Sequence, residues 1–175
     1  MTWTAPRRLH WLLLITACDV LLDQFTKNWV AAHVRMGGAI PVIPRVLRIT
    51  HWTNEGAAFS LFADSASPHA VRWGLVVFTA VAALAVLIAL IYLGSRITLT
   101  SVALALVLGG ALGNLHDRVL YGSVVDFIEV HIFSYHWPDF NVADSTIVTG
   151  ACLLFLDSLR PHKTPGASDS DPLTR

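Results

Sequence analysis

Two aspartates, Asp126 and Asp144, stand in polar motifs of a chain that is otherwise strongly apolar. The first lies in Val124-Val125-Asp126-Phe127 and the second in Phe140-Asn141-Val142-Ala143-Asp144, both downstream of Gly113-Asn114-Leu115-His116-Asp117-Arg118. Carboxylates at the edge of a bilayer are costly to desolvate, which makes them functional candidates. Two carboxylates held together share one proton. The ionised member then takes a proton from water, while the protonated member polarises a scissile carbonyl and donates to the leaving nitrogen. Such acid–base hydrolysis needs no metal, cofactor or covalent intermediate, and none is expected here.

Other chemistries lack their residues. There is no Gly-x-Ser-x-Gly elbow and no cysteine beside a histidine in these motifs, so nucleophilic catalysis has no support. The eight histidines are scattered without ligand spacing and no His-Glu-x-x-His occurs, which argues against zinc. Cys18 and Cys152 both fall inside apolar stretches and read as buried, inert thiols. Asn54, Asn114 and Asn141 are able to orient substrate carbonyls or fix the carboxylates without adding charge.

The elements that must position these groups are membrane-spanning helices. The chain has 175 residues, 54% hydrophobic and 14% charged, against about 25% charged in soluble domains. Runs of about 20 apolar residues span a bilayer, and four candidates are present, at 9–29, 71–93, 97–115 and 142–159. They make one membrane-embedded domain over 1–163, followed by a polar tail at 164–175 that reads as disordered and cytoplasmic. The long connections, 30–70 and 116–141, lie on one side, and both termini with the Gly94-Ser95-Arg96 turn lie on the other. Basic residues do not orient the bundle: Arg7, Arg8, Arg96, Arg160, Lys163 and Arg175 balance Lys27, Arg35, Arg45, Arg48, Arg72 and Arg118. Arg7-Arg8 ahead of an apolar run, with Ile15-Thr16-Ala17-Cys18, imitates a cleavable leader. The apolar stretch continues through Val20-Leu21-Leu22, however, where a cleaved leader would give way to polar sequence.

Placing polar residues by depth brings them to one mouth of the bundle. Asp23 and Lys27, at i and i+4, can pair near the loop-side end of the first helix. Asn114, Asp117 and Arg118 share a face where the third helix exits, and Asn141 with Asp144 open the fourth; Asn54 and Asp126 lie in the adjoining connections. Each has a structural alternative. Asn141 is a preferred helix cap with Asp144 at the matching third position, Asp117-Arg118 reads as an ion pair tying helix to loop, and Asp23 with Lys27 as a pair fixing register. Asp19 and Asp157 receive no role. Gly109, Gly110 and Gly113 allow close helix approach in lipid. Residues 38–62, with Pro41, Pro44, Trp52, Phe59 and Phe62, suggest short strands in a small surface sheet. Residues 130–137 read as an interfacial segment acting as a mobile flap.

The ordered motifs Asp23-Gln24-Phe25-Thr26-Lys27, Asn54-Glu55-Gly56-Ala57-Ala58-Phe59-Ser60, 109–118, 124–127 and 140–145 resemble lipoprotein signal peptidase (signal peptidase II), a bacterial membrane aspartic protease family, over nearly the full length. The resemblance implies four transmembrane helices with a periplasmic β-sheet cradle, an interfacial loop or helix, and cytoplasmic termini in the inner membrane. It implies Asp126 and Asp144 as the catalytic dyad, with Asp23, Lys27, Asn54, Asn114, Asp117, Arg118 and Asn141 binding substrate or supporting the site. The implied activity is cleavage of prolipoproteins on the N-terminal side of a diacylglyceryl-modified cysteine. The expected partners are that substrate and membrane phospholipid, with no nucleic acid and a monomeric enzyme. A small proton-coupled transporter or scaffold is the competing reading; it needs acids distributed through the bilayer, and Asp19 is the main residue in its favour. A presenilin-type protease lacks its Gly-x-Gly-Asp motif.

Overall fold

A computed structural model describes residues 8–56, 68–133 and 135–160. The elements run α1 (Leu9–His33), β1 (Ala39–Ile43), β2 (Leu47–Asn54), α2 (Pro68–Leu93), α3 (Leu99–Leu120), β3 (Val124–Ile132), β4 (Tyr135–Phe140) and α4 (Val142–Ser158). All four expected helices form, with shifted ends: α1 and α3 run on past 29 and 115, and α3 starts at Leu99 rather than 97. Thr98 explains that start. Its side chain caps Ser101 in a reciprocal capping box, which fixes the first turn of α3.

Three helices, Leu9–His33, His69–Leu93 and Leu99–Leu120, are long and apolar enough to cross a membrane. α4 has 17 residues, so its axis runs only about 25 Å. α3 is the centre of the bundle, packing against α1, α2 and α4. An apolar cluster of Leu12, Ala83, Leu90, Leu104, Ala105 and Leu108 fills the end of the bundle nearest the 94–96 turn. The other half is different. The buried residues of α1 are Leu12, Thr16, Asp19, Asp23, Lys27 and Val30, a helical stripe whose middle is polar. Leu13, Leu14, Leu21, Leu22 and Phe25 face outward, as suits a lipid-facing surface.

The expected close approach along α3 is present. A Cβ at Gly109 would collide with the Asp19 carboxylate, and one at Gly110 with the Ala143 carbonyl. Only glycine lets α1 and α4 come so near.

The expected small sheet forms and is larger than 38–62 suggests. Its four strands are antiparallel in the order β1-β2-β3-β4. Trp52 lies opposite Asp126, and the pairing is interrupted by irregularities between Ile49 and Trp52 and between Ile128 and Val130. Asp126 is therefore a strand residue, not a loop residue. Of the 130–137 segment, expected as an interfacial flap, residues 130–132 end β3 and residues 135–137 open β4. Among the described residues no separate interfacial helix is present, and Phe59 and Phe62 lie outside them, as does the tail at 164–175. Phe127 packs beneath the sheet on Val30 and Val34. The His51 ring meets the Val34 carbonyl at 2.7 Å, pinning β2 to the end of α1.

Candidate active site

The groups expected at the mouth of the bundle do converge where α1, α3 and α4 meet the sheet. Lys27 is the hub. Its Nζ lies 2.7 Å from Asp23 Oδ2 and 2.7 Å from Asp117 Oδ2, and donates to Asn114 Oδ1 at 2.9 Å. All four residues are buried. A lysine in such a place is tolerable only because two carboxylates and an amide replace its water. The second oxygen of Asp23 accepts the backbone N–H of Ala143 at 2.9 Å, at the first turn of α4. One ion network thus ties three helices together.

The expected Asp117–Arg118 ion pair does not form. Neighbours along a helix point about 100° apart and do not face each other. Asp117 turns to Lys27, while Arg118 donates to the Gly56 carbonyl at 3.2 Å and, at 3.5 Å, to the Asn114 carbonyl. Arg118 holds the end of β2 against α3, and its charge lies within electrostatic range of Asp144, Asp126 and Asp117.

Each asparagine joins this scaffold to a carboxylate. Asn114 donates from Nδ2 to Asp144 Oδ1 at 2.8 Å, and Asn54 from Nδ2 to Asp126 Oδ2 at 3.1 Å. Asn141 serves both aspartates. Its Nδ2 donates to Asp126 Oδ1 at 2.8 Å, its backbone N–H donates to Asp144 Oδ2 at 3.2 Å, and its Oδ1 accepts the Asp144 N–H at 3.0 Å. The last two bonds are a helix capping box. Capping and site construction, posed as alternatives by the sequence, are one arrangement: the cap that starts α4 also links the two carboxylates.

Asp126 is only 5% exposed. Burial first, and then the negative charge of Asp144, push its carboxyl up to about 7, against the opposing pull of Asn54, Asn141 and Lys27. Two linked acids whose pair retains a proton near neutrality match the requirement for combined general acid and general base work. Asp126 opens onto a cleft of about 410 Å³ lined by Trp52, Thr53, Asn54, His136, Pro138 and Asp139, so substrate and water have a way in.

Residues 15–160 match the sequence profile of Signal peptidase (SPase) II. The chain belongs to that family. It is 45% identical over 156 residues to the lipoprotein signal peptidase of Syntrophus aciditrophicus, covering 87% of this chain and 94% of that one. It is 46% identical over 151 residues to the lipoprotein signal peptidase of Teredinibacter turnerae, covering 86% and 88%. A solved bacterial membrane enzyme superposes with a TM-score of 0.71 at 32% identity, over 94% of this chain and 99% of that one. The chain is thus an aspartic peptidase of a membrane-enzyme family, with apolar helices and a small antiparallel sheet.

Several participants escape sequence reasoning. Gln24 donates to Asp117 Oδ1 at 2.8 Å and to Asp23 Oδ2 at 3.3 Å; its position next to Asp23 is the only hint. Arg72 donates to the carbonyls of Arg118 and Val119, each at 2.9 Å, fastening α2 to the end of α3. On the sheet, buried Glu129 is held by Arg48 through two nitrogens and faces the Nε2 atoms of His131 and His136 at 3.2 and 2.8 Å. Arg48 draws the Glu129 carboxyl below its usual range. These residues come from three strands, and no spacing in the chain announces them. The two cysteines are unpaired, as expected, but exposed rather than buried: both lie on outward helix faces, where a thiol serves as a small apolar group.

Proposed function

We propose that the chain removes signal peptides from prolipoproteins, cleaving on the N-terminal side of a diacylglyceryl-modified cysteine with water activated by Asp126 and Asp144. The observation that carries this reading is the double engagement of Asn141, which holds both carboxylates at the open end of a polar helix seam. In the resting pair one proton is shared. The ionised carboxylate accepts a proton from the attacking water, and the protonated one hydrogen-bonds the scissile carbonyl oxygen. As the tetrahedral adduct collapses, a proton passes to the cysteine nitrogen and the carbon–nitrogen bond breaks. Asn54, Asn114 and Asn141 hold the carboxylates in place. The Asp23–Lys27–Asp117 network fixes the helices that carry them, and Arg118 adds positive potential where negative charge develops.

In this proposal α4 completes a four-span bundle, both termini are cytoplasmic, and the sheet and dyad face the periplasm. The substrate's acyl chains keep it at the membrane, where burial of each CH₂ contributes about 0.8 kcal/mol, so the cysteine is presented at interfacial depth. The enzyme works as a monomer among phospholipids. Against a transporter, the polar stripe of α1 ends at Thr16, and the Leu12–Leu90–Leu104 cluster closes the bundle beyond it.

The test is cleavage of purified, lipid-modified prolipoprotein by detergent-solubilised protein. Asp126→Asn and Asp144→Asn are each expected to lower kcat by at least ~10²-fold, the scale of a lost general acid or base, with the folded protein still in the membrane. Near-normal turnover by either variant overturns the dyad.

A further inference from the structure

The cleft at Asp126 does not end there. A second cavity of about 290 Å³, lined by residues including Arg48, Thr50, Glu129, His136 and Asp139, shares Trp52, His136 and Asp139 with the first. Together they form a groove across the sheet from the candidate dyad towards β1. Trp52 stands between them, 49% exposed and opposite Asp126 in the strand register. Its indole reaches back to Gly37, where an added Cβ would lie 3.5 Å from the ring.

The groove is polar, and its charge can be counted. Glu129 is matched by Arg48. Asp139 has a neutral partner, the Thr50 hydroxyl, which donates to Oδ1 at 2.7 Å. Arg48 lies within electrostatic range of Asp139 as well, but one cation faces two carboxylates. Among the described lining residues beyond the dyad, Asp139 is therefore the carboxylate that has no cation of its own.

We propose that this groove is the subsite for the residues that follow the lipid-bearing cysteine, and that Asp139 makes it prefer a basic over an acidic side chain there. The inference rests on the peptidase reading above. An apolar signal segment belongs in lipid and would strand the polar groups lining this surface; the segment on the other side of the scissile bond is the one that continues into water. An extended chain running from Asp126 past Trp52 brings its first few side chains to Asp139.

The experiment uses diacylglyceryl-cysteine peptides differing only in Lys, Gln or Glu at the second residue after the cysteine. The assay is run at one fixed pH for all three peptides. The protein should cleave the Lys peptide with kcat/KM about fivefold above the Glu peptide at low salt, the scale of a partly exposed charge pair, and the ratio should shrink as salt is added. Asp139→Asn should bring the ratio near one; Asp139→Glu should keep it. Thr53→Arg, on the exposed wall of the first cleft, should invert the order, which keeps the test decisive if Asp139→Asn fails to fold.

The same peptides are titrated against the Asp144→Asn variant, where the Kd values should rank in the same order. No ranking in either kcat/KM or Kd, or a ranking that survives Asp139→Asn, overturns the subsite. Absence of cleavage with the Kd ranking intact would instead overturn the dyad and uphold the groove.

Discussion

α1 and α2 are nearly the same length, 25 and 26 residues, and both are strongly apolar, yet they do opposite work. α2 has no acidic residue, packs on α3 and leaves Val77, Phe78, Val81 and Tyr92 facing outward. α1 turns its apolar residues outward too, but buries Thr16, Asp19, Asp23 and Lys27. In lipid, apolar surface gains little by being buried against another helix, because hydrocarbon surrounds it either way. Helix association there is driven by close packing and by polar groups that must find partners. α1 is held by its buried charges, whereas α2, beyond the Arg72 contacts near its start, is held by fit.

The sharpest way to break this contrast is to remove the charge at the centre of the α1 seam. Lys27→Met leaves Asp23 and Asp117 buried side by side without their cation. Losing one partner of a buried pair costs about 3–5 kcal/mol. The variant should lose most of its folded population on unfolding in detergent. The double change Lys27→Met with Asp117→Asn should recover part of the loss. Full stability of Lys27→Met alone would mean that α1 is held like α2.

This difference also decides what was legible in the chain. The i, i+4 spacing of Asp23 and Lys27, the Asn141–Asp144 cap and the convergence on one mouth all follow from helical geometry, which sequence displays directly. Asp126 could be placed at the same end of the bundle as Asn54 and Asn141 but not on a strand. β3 forms a local hairpin with β4 but also pairs with β2, from Asn54 opposite Val124 to Leu47 opposite Val130, and no local pattern encodes that long-range register. For the same reason the Glu129 cluster and the Asp139–Thr50 contact were invisible. The pairing of Asp117 was misjudged because adjacent opposite charges look like partners in one dimension and diverge on a helix.

A second way to test the contrast is steric. Gly110 lies against the Ala143 carbonyl and the Thr146 side chain of α4, and α4 carries Asp144. Gly110→Leu should destabilise the protein by about 1–3 kcal/mol, as overpacking does, and should also lower kcat, because α4 is displaced from Asn114. By comparison, Gly74 of α2 has open space where a Cβ would stand, and Gly74→Ala should leave both quantities unchanged. Equal effects at the two glycines would refute the distinction.

The pH profile examines the seam's product. With the Asp126 carboxyl raised from 3.8 to about 7, the native state binds more protons than the unfolded chain between those values. Stability therefore falls as pH rises from about 4 to about 7, and is level in this respect above that. Activity needs one proton on the pair, so kcat/KM should decline about tenfold per unit above pH 7. Asn141→Ala removes the Asp126–Asn141 hydrogen bond, which favours the ionised form, and should move the decline to higher pH. A profile flat to pH 9 would show that the pair does not titrate as a shared-proton unit.

The smallest effect expected is on α2 itself. Phe78 is 73% exposed and on this reading meets only acyl chains, so Phe78→Leu should change stability by less than about 0.5 kcal/mol. Phe78→Asp should cost about 2.5–3.5 kcal/mol, the insertion penalty of a charge at the centre of a spanning helix. Asp19 on α1 is an acid that the fold already accepts, buried against Gly109. If Phe78→Asp proved as well tolerated as Asp19, measured by membrane insertion and by unfolding in detergent, α2 would have a polar surrounding of its own. Its lipid-facing assignment, and with it the contrast between the two helices, would fall.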